Sequence, residues 1–238
     1  MISVTGSACP ITVKQAMIDW FGPLLLETYG ASESGIVTRI TSDEWLAHRG
    51  SVGRAVSPFH PLVLDENGSP CPQGSDGILY FTDDSGRGIR YHNDPEKTAA
   101  AHLVPGTFTL GDVGHVDEDG YLYITGRVTD MVISGGVNIY PAECERILAD
   151  HPVVTDVALF GIPDDEMGER LVGLVSLGDA TTTPDELITF CRGSIAGYKV
   201  PRHLVVVPEV PRSPMGKVDK ASARDTYFVT TQTVSPGN

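Results

Sequence analysis

The spacing of apolar residues at the start of the chain predicts a strand, a helix and a second strand. Residues 10–21 have apolar side chains at helical spacing, between a strand-like run at 2–5 and a nearly all-apolar run at 24–29. Apolar residues at i, i+3 and i+4 form one face of a helix, whereas a short continuous apolar run is typical of a strand buried on both faces. Two such strands joined by a helix make one βαβ-like unit.

Residues 50–126 have a different pattern, in which short β-type runs alternate with turn residues. The runs lie at 62–64, 77–82, 107–110 and 121–125, with Gly, Pro, Asp and Asn between them. This pattern predicts a small antiparallel sheet or barrel. A short helix over residues 94–102 interrupts it, with Asp94 as N-cap and Pro95 at the first helical position.

Residues 130–220 predict a compact α+β arrangement. A helix over 141–149 begins at Pro141 and precedes strands at 153–160 and 171–177. A second helix follows Thr183 and runs to about residue 194, and a last strand covers 203–207. The segment after Ala223 is rich in Thr and Ser and is expected to fray.

These patterns together predict α/β and α+β domains in one chain. Residues 1–126 would hold a βαβ piece and a small β-barrel, and residues 131–224 an α+β domain followed by a flexible tail at 225–238. Turns flank Arg127, and the residues on its two sides differ in character, so residues 127–130 are interpreted as a hinge. An ordinary strand-turn-strand linker is the alternative.

Composition narrows the function classes. The net charge of -14 argues against nonspecific binding to nucleic acid or to an anionic membrane. No apolar run approaches membrane-spanning length, and the start of the chain lacks a basic region before an apolar one, so a cytoplasmic protein is expected. The four cysteines are scattered without metal-ligand spacing and are expected to be reduced thiols: Cys9, Cys71, Cys144 and Cys191.

Four polar residues in glycine-containing turns carry the candidate chemistry: Glu33, Asp112, Arg127 and Lys217. Glycine lets a backbone approach a ligand closely, and a carboxylate for a metal, one for sugar hydroxyls, an arginine and a lysine would suit a nucleotide. Each residue taken alone is also explained as a solvated charge in a turn. The segment 30–34 nearly matches the serine-hydrolase nucleophile elbow, but the extended pattern after it disfavours that class.

The order and surroundings of these four residues resemble the C-terminal half of the adenylate-forming superfamily, which includes acyl-CoA synthetases, nonribosomal adenylation domains and beetle luciferases. Tyr29-Gly-Ala-Ser-Glu33 resembles its Tyr-Gly-x-Thr-Glu motif, and residues 107–114 resemble the segment ending in Thr-Gly-Asp. Residues 126–143 resemble the long signature that begins with Gly-Arg, and residues 211–217 resemble the terminal motif ending in Gly-Lys. The resemblance covers nearly the whole chain.

This resemblance implies a site for ATP and Mg²⁺. Glu33 would hold Mg²⁺, and Ser32, in place of the usual threonine, would contact the α-phosphate beside Gly30. Tyr29 would stack near the adenine. Asp112 would accept hydrogen bonds from the ribose hydroxyls.

The resemblance also implies roles for the residues that complete the reaction. Arg127 would assist at the ribose, and Lys217 would reach the carboxylate and the α-phosphate during adenylation, where its charge stabilises the transferring phosphoryl group. The turn at Gly6, Ser7 and Ala8 would line the acyl and adenine pockets. Gly135 and Gly136 would let the pantetheine of coenzyme A pass.

Two departures from the family pattern affect this expectation. Thr129 stands at the hinge position where the family usually has Asp or Lys. The upstream half of the family's large domain, including the phosphate loop, has no counterpart in these residues, so the chain alone is expected to have little activity.

The function expected from the resemblance is ATP-dependent ligation of a carboxylic acid to coenzyme A through an acyl-AMP. A noncatalytic fragment that binds a nucleotide or coenzyme A is the alternative. By the same resemblance, most of the residues that would select the acid are expected to lie outside this sequence. The exposed edge at residues 2–5 further predicts a homodimer.

Overall fold

The computed structural model describes residues 1–7, 9–178, 181–214 and 216–234, with side chains up to residue 232. The chain divides into two compact units, Met1–Thr129 and Asp130–Asn238. Among the described residues, no helix is both long enough and apolar enough to cross a membrane.

The first unit contains three helices and nine strands within its described residues. In chain order they are β1 (Ile2–Val4), α1 (Ile11–Phe21), β2 (Leu25–Ala31), β3 (Gly35–Thr41), α2 (Ser42–Ala47), β4 (Arg54–Ala55), β5 (Phe59–Leu64), β6 (Gly77–Asp83), α3 (Pro95–Ala100), β7 (His102–Val104), β8 (Thr107–Val116) and β9 (Leu122–Arg127).

A four-stranded sheet in the order β1-β2-β3-β4 forms the first part of this unit. Strands β1 and β2 are parallel and are joined by α1, so the βαβ-like prediction is confirmed. Burial of β2 on both faces is only partly correct, because Leu26 and Tyr29 are half-buried. Helix α1 contributes Lys14 to a buried ion pair with Glu27 of β2, because a buried charge requires a partner.

The second sheet of the unit is open, so the predicted barrel is wrong. Its order is β5-β6-β8-β7, with β9 paired to the distal part of β8. The outer edge of β9 is occupied by the segment before β4. The Val52 amide donates to the Leu122 carbonyl at 2.9 Å, and the Leu122 amide donates to the Gly53 carbonyl at 2.8 Å. The outer edge of β5 is covered by its own return loop, since the Cys71 amide donates to the Val63 carbonyl at 3.0 Å. Both strands that would have to meet for closure are therefore already paired elsewhere.

The second unit contains three helices and five strands within its described residues. In chain order they are β10 (Val132–Ser134), β11 (Val137–Ile139), α4 (Pro141–Ala149), β12 (Val154–Asp164), β13 (Gly168–Leu177), α5 (Pro184–Arg192), β14 (His203–Val206) and α6 (Lys220–Val234). The sheet has the order β11-β10-β13-β12, and β14 pairs in parallel with β13.

This sheet is covered on both faces. Leu159 faces a cluster with α4 and α5, whereas its neighbours Ala158 and Phe160 face a cluster with α6. Successive side chains of a strand point to opposite faces, so β12 is apolar at consecutive positions. Helix α5 begins as predicted, with a capping box in which Thr183 accepts from the Glu186 amide.

The predicted flexible tail at 225–238 is wrong for residues 225–234, which belong to helix α6. Tyr227 is only 4% exposed and meets Phe160 edge-to-face at a centroid distance of 5.9 Å. The hydrophobic pattern does not predict this helix. Among its described side chains, Ala223 and Tyr227 belong to the apolar core, and many of the others are Thr or Ser. The second face of the sheet must nevertheless be covered, and α6 covers it.

Tyr227→Ala is expected to destabilise the second unit by about 3 kcal/mol, because it removes a large buried aromatic side chain. The change should be measured by urea unfolding followed by far-UV circular dichroism. Phe228→Ala is the control, since Phe228 is 40% exposed on the same helix. Equal, small effects of both variants would show that α6 does not pack on the sheet.

Candidate nucleotide-binding site

Asp112 is the centre of a polar cluster in the first unit. It lies on β8, is 3% exposed, and stands directly opposite Arg127 in the β8–β9 register. The Arg127 Nε donates to Asp112 Oδ1 at 2.9 Å, and the Tyr29 hydroxyl, from the other sheet, donates to Oδ2 at 2.6 Å. Three of the predicted nucleotide-binding residues, distant in sequence, therefore meet at one carboxylate.

The two partners of Asp112 differ in charge and in exposure to solvent. Burial, and then the charge of Asp112, raise the pKa of Tyr29 well above its usual value, so the phenol stays protonated and donates. The Arg127 side chain is 60% exposed, whereas that of Asp112 is 4% exposed. A carboxylate offers about four lone-pair positions, so Asp112 can accept further hydrogen bonds from a ligand's hydroxyls.

The motif that follows Tyr29 forms the β2–β3 hairpin. Gly30 has no room for a side chain, because a Cβ there would lie 2.0 Å from the Gly35 carbonyl oxygen. Ser32 and Glu33 are exposed in the turn, and β3 follows as an extended strand, as predicted. Because the nucleophile elbow requires a helix after the serine, Ser32 is not placed as a hydrolase nucleophile.

Glu33 is the residue predicted to hold Mg²⁺. Across the described residues, no group of three or more His, Cys, Asp or Glu side chains could hold a metal. Mg²⁺ is commonly bound through one or two carboxylates together with substrate phosphates. Glu33 is a single exposed carboxylate in the β2–β3 turn, and magnesium binding there stays a prediction.

The glycine turns predicted to line the acyl and coenzyme A paths lie at strand ends. Gly6 follows β1 with φ +87° and, like Ser7, is exposed, whereas Ala8 lies outside the described residues. Gly135 and Gly136 form the two-residue loop between β10 and β11, with φ of 58° and 77°. Two consecutive positive φ values suit a tight hairpin turn, which explains the pair of glycines.

Lys217 is exposed on a loop of the second unit. Gly216 before it has φ +79°, and the Ser213 amide donates to the Lys217 carbonyl at 2.8 Å. Thr129 is exposed in a 3₁₀ turn over Val128–Asp130, and the first unit ends with it. The approach of Lys217 to Asp112, and rotation at Thr129, stay predictions.

Sequence reasoning missed an ion-pair cluster three residues after Lys217. The Lys220 Nζ lies 2.9 Å from Asp130 Oδ2 and 3.5 Å from Glu145 Oε1. Glu145 also accepts from the Leu159 amide at 2.7 Å. Burial raises the pKa of Glu145, and Lys220 opposes that rise. These partners are 75 or more residues from Lys220 in sequence, so no local pattern could have identified them.

Two family models match the chain. The AMP-binding enzyme model matches residues 1–86, and the AMP-binding enzyme C-terminal domain model matches residues 143–217. The chain belongs to the family of AMP-binding, adenylate-forming enzymes. Its membership confirms the resemblance inferred from the four motifs.

Individual members of this family are similar along most of the chain. The long-chain-fatty-acid–CoA ligase FadD13 of Mycobacterium tuberculosis is 34% identical over 231 residues, which are 95% of this chain and 45% of that protein. The structure of the amide bond synthetase McbA from Marinactinospora thermotolerans matches with a TM-score of 0.85 and 31% identity, over 95% of this chain and 46% of that one.

A third member was solved with a bound adenylate. The o-succinylbenzoate CoA synthetase MenE from Bacillus subtilis, in complex with the acyl-adenylate intermediate OSB-AMP, matches with a TM-score of 0.80 and 25% identity. That match covers 91% of this chain and 44% of MenE. The chain spans less than half the length of the curated relatives it matches.

Removing Arg127 is expected to cost more stability than neutralising Asp112. Arg127→Met leaves a buried carboxylate without its cation, at about 3 kcal/mol. In Asp112→Asn the amide oxygen still accepts from Arg127 and the amide NH2 can donate to the Tyr29 hydroxyl once that hydroxyl turns to accept, so the cost is about 1 kcal/mol. The double variant should be no less stable than Arg127→Met. Urea unfolding of the four proteins measures this, and equal costs for the two single variants would contradict a buried, paired charge.

The raised pKa of Glu145 gives a pH-dependent stability. The folded state holds the proton more tightly than the unfolded state, whose carboxyl titrates near its usual 4.5, so stability falls as pH rises above that value. The Glu145→Gln variant cannot lose this proton and therefore does not lose stability in this way. Its free energy of unfolding relative to that of the parent should increase from about pH 4 to about pH 7. A pH-independent difference between the two unfolding curves would refute the assignment.

Proposed function

We propose that this chain forms the nucleotide- and lysine-bearing part of an ATP-dependent acid-thiol ligase. The observation that carries the proposal is the convergence of Tyr29 and Arg127 on the buried Asp112 in a member of the AMP-binding enzyme family. FadD13 is named as a fatty-acid–CoA ligase, and MenE was solved with an acyl-adenylate. Both names support a carboxylic acid, ATP and coenzyme A as substrates.

In the first half-reaction, a carboxylate oxygen of the acid attacks the α-phosphorus of ATP and pyrophosphate leaves. Asp112 accepts hydrogen bonds from the ribose hydroxyls, with Tyr29 and Arg127 fixing its two oxygens. Glu33 would hold Mg²⁺, and the ion would supply charge neutralisation. Ser32 contacts the α-phosphate, and Lys217 neutralises the charge that builds on the transferring group.

In the second half-reaction, the thiolate of coenzyme A attacks the acyl carbonyl and AMP leaves. We propose that residues 131–224 act as a lid that turns about the segment 127–130, with Thr129 as the pivot. One site then serves both steps. Gly135 and Gly136 border the path of the pantetheine arm, and the space beside Gly136 is open, whereas Met167 fills the space beside Gly135.

A noncatalytic nucleotide- or coenzyme A-binding module is the second candidate. The observation that favours it is that the Tyr29–Asp112–Arg127 cluster lies within the first unit, so nucleotide recognition by it would not need Lys217 of the second unit. The outer edge of β1, which is the end strand of its sheet, is the proposed contact for a second copy of the chain. The free thiols, including the buried Cys144 and Cys191 whose Sγ atoms lie 3.6 Å apart, support a cytoplasmic location as part of the same proposal.

Lys217→Ala is expected to lower affinity for a dodecanoyl-sulfamoyl adenosine, a stable acyl-AMP mimic, about tenfold, because it deletes a cation at the sulfamoyl group. Isothermal titration calorimetry measures this, with Arg192→Ala, an exposed cation of the same unit, as the control. In a ligase of the relatives' length that contains this chain, thioester formation from supplied acyl-AMP should persist in Lys217→Ala, whereas acyl-hydroxamate formation from ATP should be lost.

The three readouts separate the two candidate functions. Mimic binding with thioester formation supports the ligase. Mimic binding without either reaction supports the binding module. Absence of mimic binding by the parent chain overturns the ligase and the nucleotide-binding module.

A further inference from the structure

The loop that carries Lys217 is closed on itself by backbone hydrogen bonds. Arg212 and Val218 form an isolated β-bridge across its base, and the Gly216 amide donates to the Ser213 carbonyl at 2.8 Å. Outside that base, the Asp219 amide donates to the Pro211 carbonyl at 3.0 Å. The two ends of the loop are therefore held together directly before α6 begins.

A single guanidinium ties this loop to the sheet. Arg212 Nε and Nη2 donate to the two carboxylate oxygens of Asp156 on β12 at 2.8 and 2.6 Å, and Nη1 donates to the Gly216 carbonyl at 2.5 Å. Asp156 is itself fixed, because its Oδ1 accepts from the Val157 amide at 2.9 Å. Arg212 thus spans from the residue directly before Lys217 to the edge strand of the sheet.

Only a guanidinium can make this arrangement. A planar fork matches both oxygens of a carboxylate and still has a donor for a third acceptor, whereas the lysine ammonium is a point charge that cannot reach all three. Hydrogen bonding to Asp156 also raises the pKa of Arg212, so it stays charged. Exposed ion pairs usually contribute little to stability. A bidentate pair between an arginine and a carboxylate is an exception, and Arg212 has a backbone carbonyl as a further acceptor.

We propose that Arg212 is a positioning residue for Lys217. By fixing the Gly216 carbonyl to β12, it sets the direction in which the Lys217 side chain leaves the loop. This inference rests on the proposed function, because it assumes that the Lys217 ammonium acts on the adenylate.

A double-mutant cycle tests the coupling. We expect weaker binding of dodecanoyl-sulfamoyl adenosine, by threefold to tenfold, in each of three variants: Arg212→Lys, Arg212→Ala and Asp156→Asn. This range corresponds to about 1 kcal/mol of binding free energy, lost because Lys217 is less preorganised. In the Lys217→Ala background, Arg212→Ala should weaken binding no further, because the cation that it positions is absent. Arg192→Lys, on an exposed face of the same unit, should leave affinity unchanged.

Additive losses in the cycle, or Arg212→Lys binding as tightly as the parent, would overturn the proposal. A general loss of fold cannot imitate the expected result, because it would lower affinity in the Lys217→Ala background as well. Unfolding curves of every variant accompany the titrations.

A second measurement keeps the inference testable if the parent chain does not bind the mimic, the outcome that refutes the proposed function. The ¹⁵N order parameters of the Gly216 and Lys217 amides should be about 0.85 in the parent chain and fall below about 0.6 in Arg212→Lys. Those of the β12 and β13 amides should stay unchanged. Unchanged order at Gly216 and Lys217 would reject the clamp independently of any ligand.

Discussion

The buried carboxylate of Asp112 is the constraint on which the first unit depends. A charge that is almost fully removed from water must be paired and hydrogen-bonded, and Asp112 obtains one partner from β9 and one from β2. The four-stranded sheet and the open five-stranded sheet are therefore joined through a polar contact as well as through the apolar cluster that includes Phe81 and Tyr29. The same contact fixes the carboxylate that we assign to the ribose.

The second unit depends on covering both faces of its sheet, because its two longest strands, β12 and β13, are apolar on both faces. Helices α4 and α5 cover one face, and α6 covers the other. The loop that carries Lys217 directly precedes α6, so the helix that completes the core also fixes the end of that loop. Arg212 and Lys220 add ion pairs on either side of Lys217, to Asp156 and to Asp130 respectively. The backbone on both sides of Lys217 is held in this way, although the lysine side chain itself is flexible.

The two units divide the proposed chemistry between them. The first contributes a rigid, preformed recognition cluster, in which the phenol of Tyr29 is held protonated by burial. The second contributes a single exposed cation whose loop is fixed. We propose a pivot at Thr129 because withdrawing a cation between two half-reactions would let one site serve both of them.

Local sequence determined most of the elements, because periodicity, caps and turn residues act over a few neighbouring positions. The βαβ-like start, the helix that begins at Pro141 and the Thr183 cap followed in this way. The roles expected of Tyr29, Asp112 and Arg127 came from the resemblance of their motifs to those of the adenylate-forming superfamily. Only the tertiary structure showed that the second sheet stays open, that residues 225–234 form a core helix, and that Arg212 and Lys220 anchor the Lys217 loop. Each of these depends on pairing between residues tens of positions apart, where the energy comes from burying a sheet face or satisfying a charge, and a one-dimensional pattern does not specify which distant partner does so.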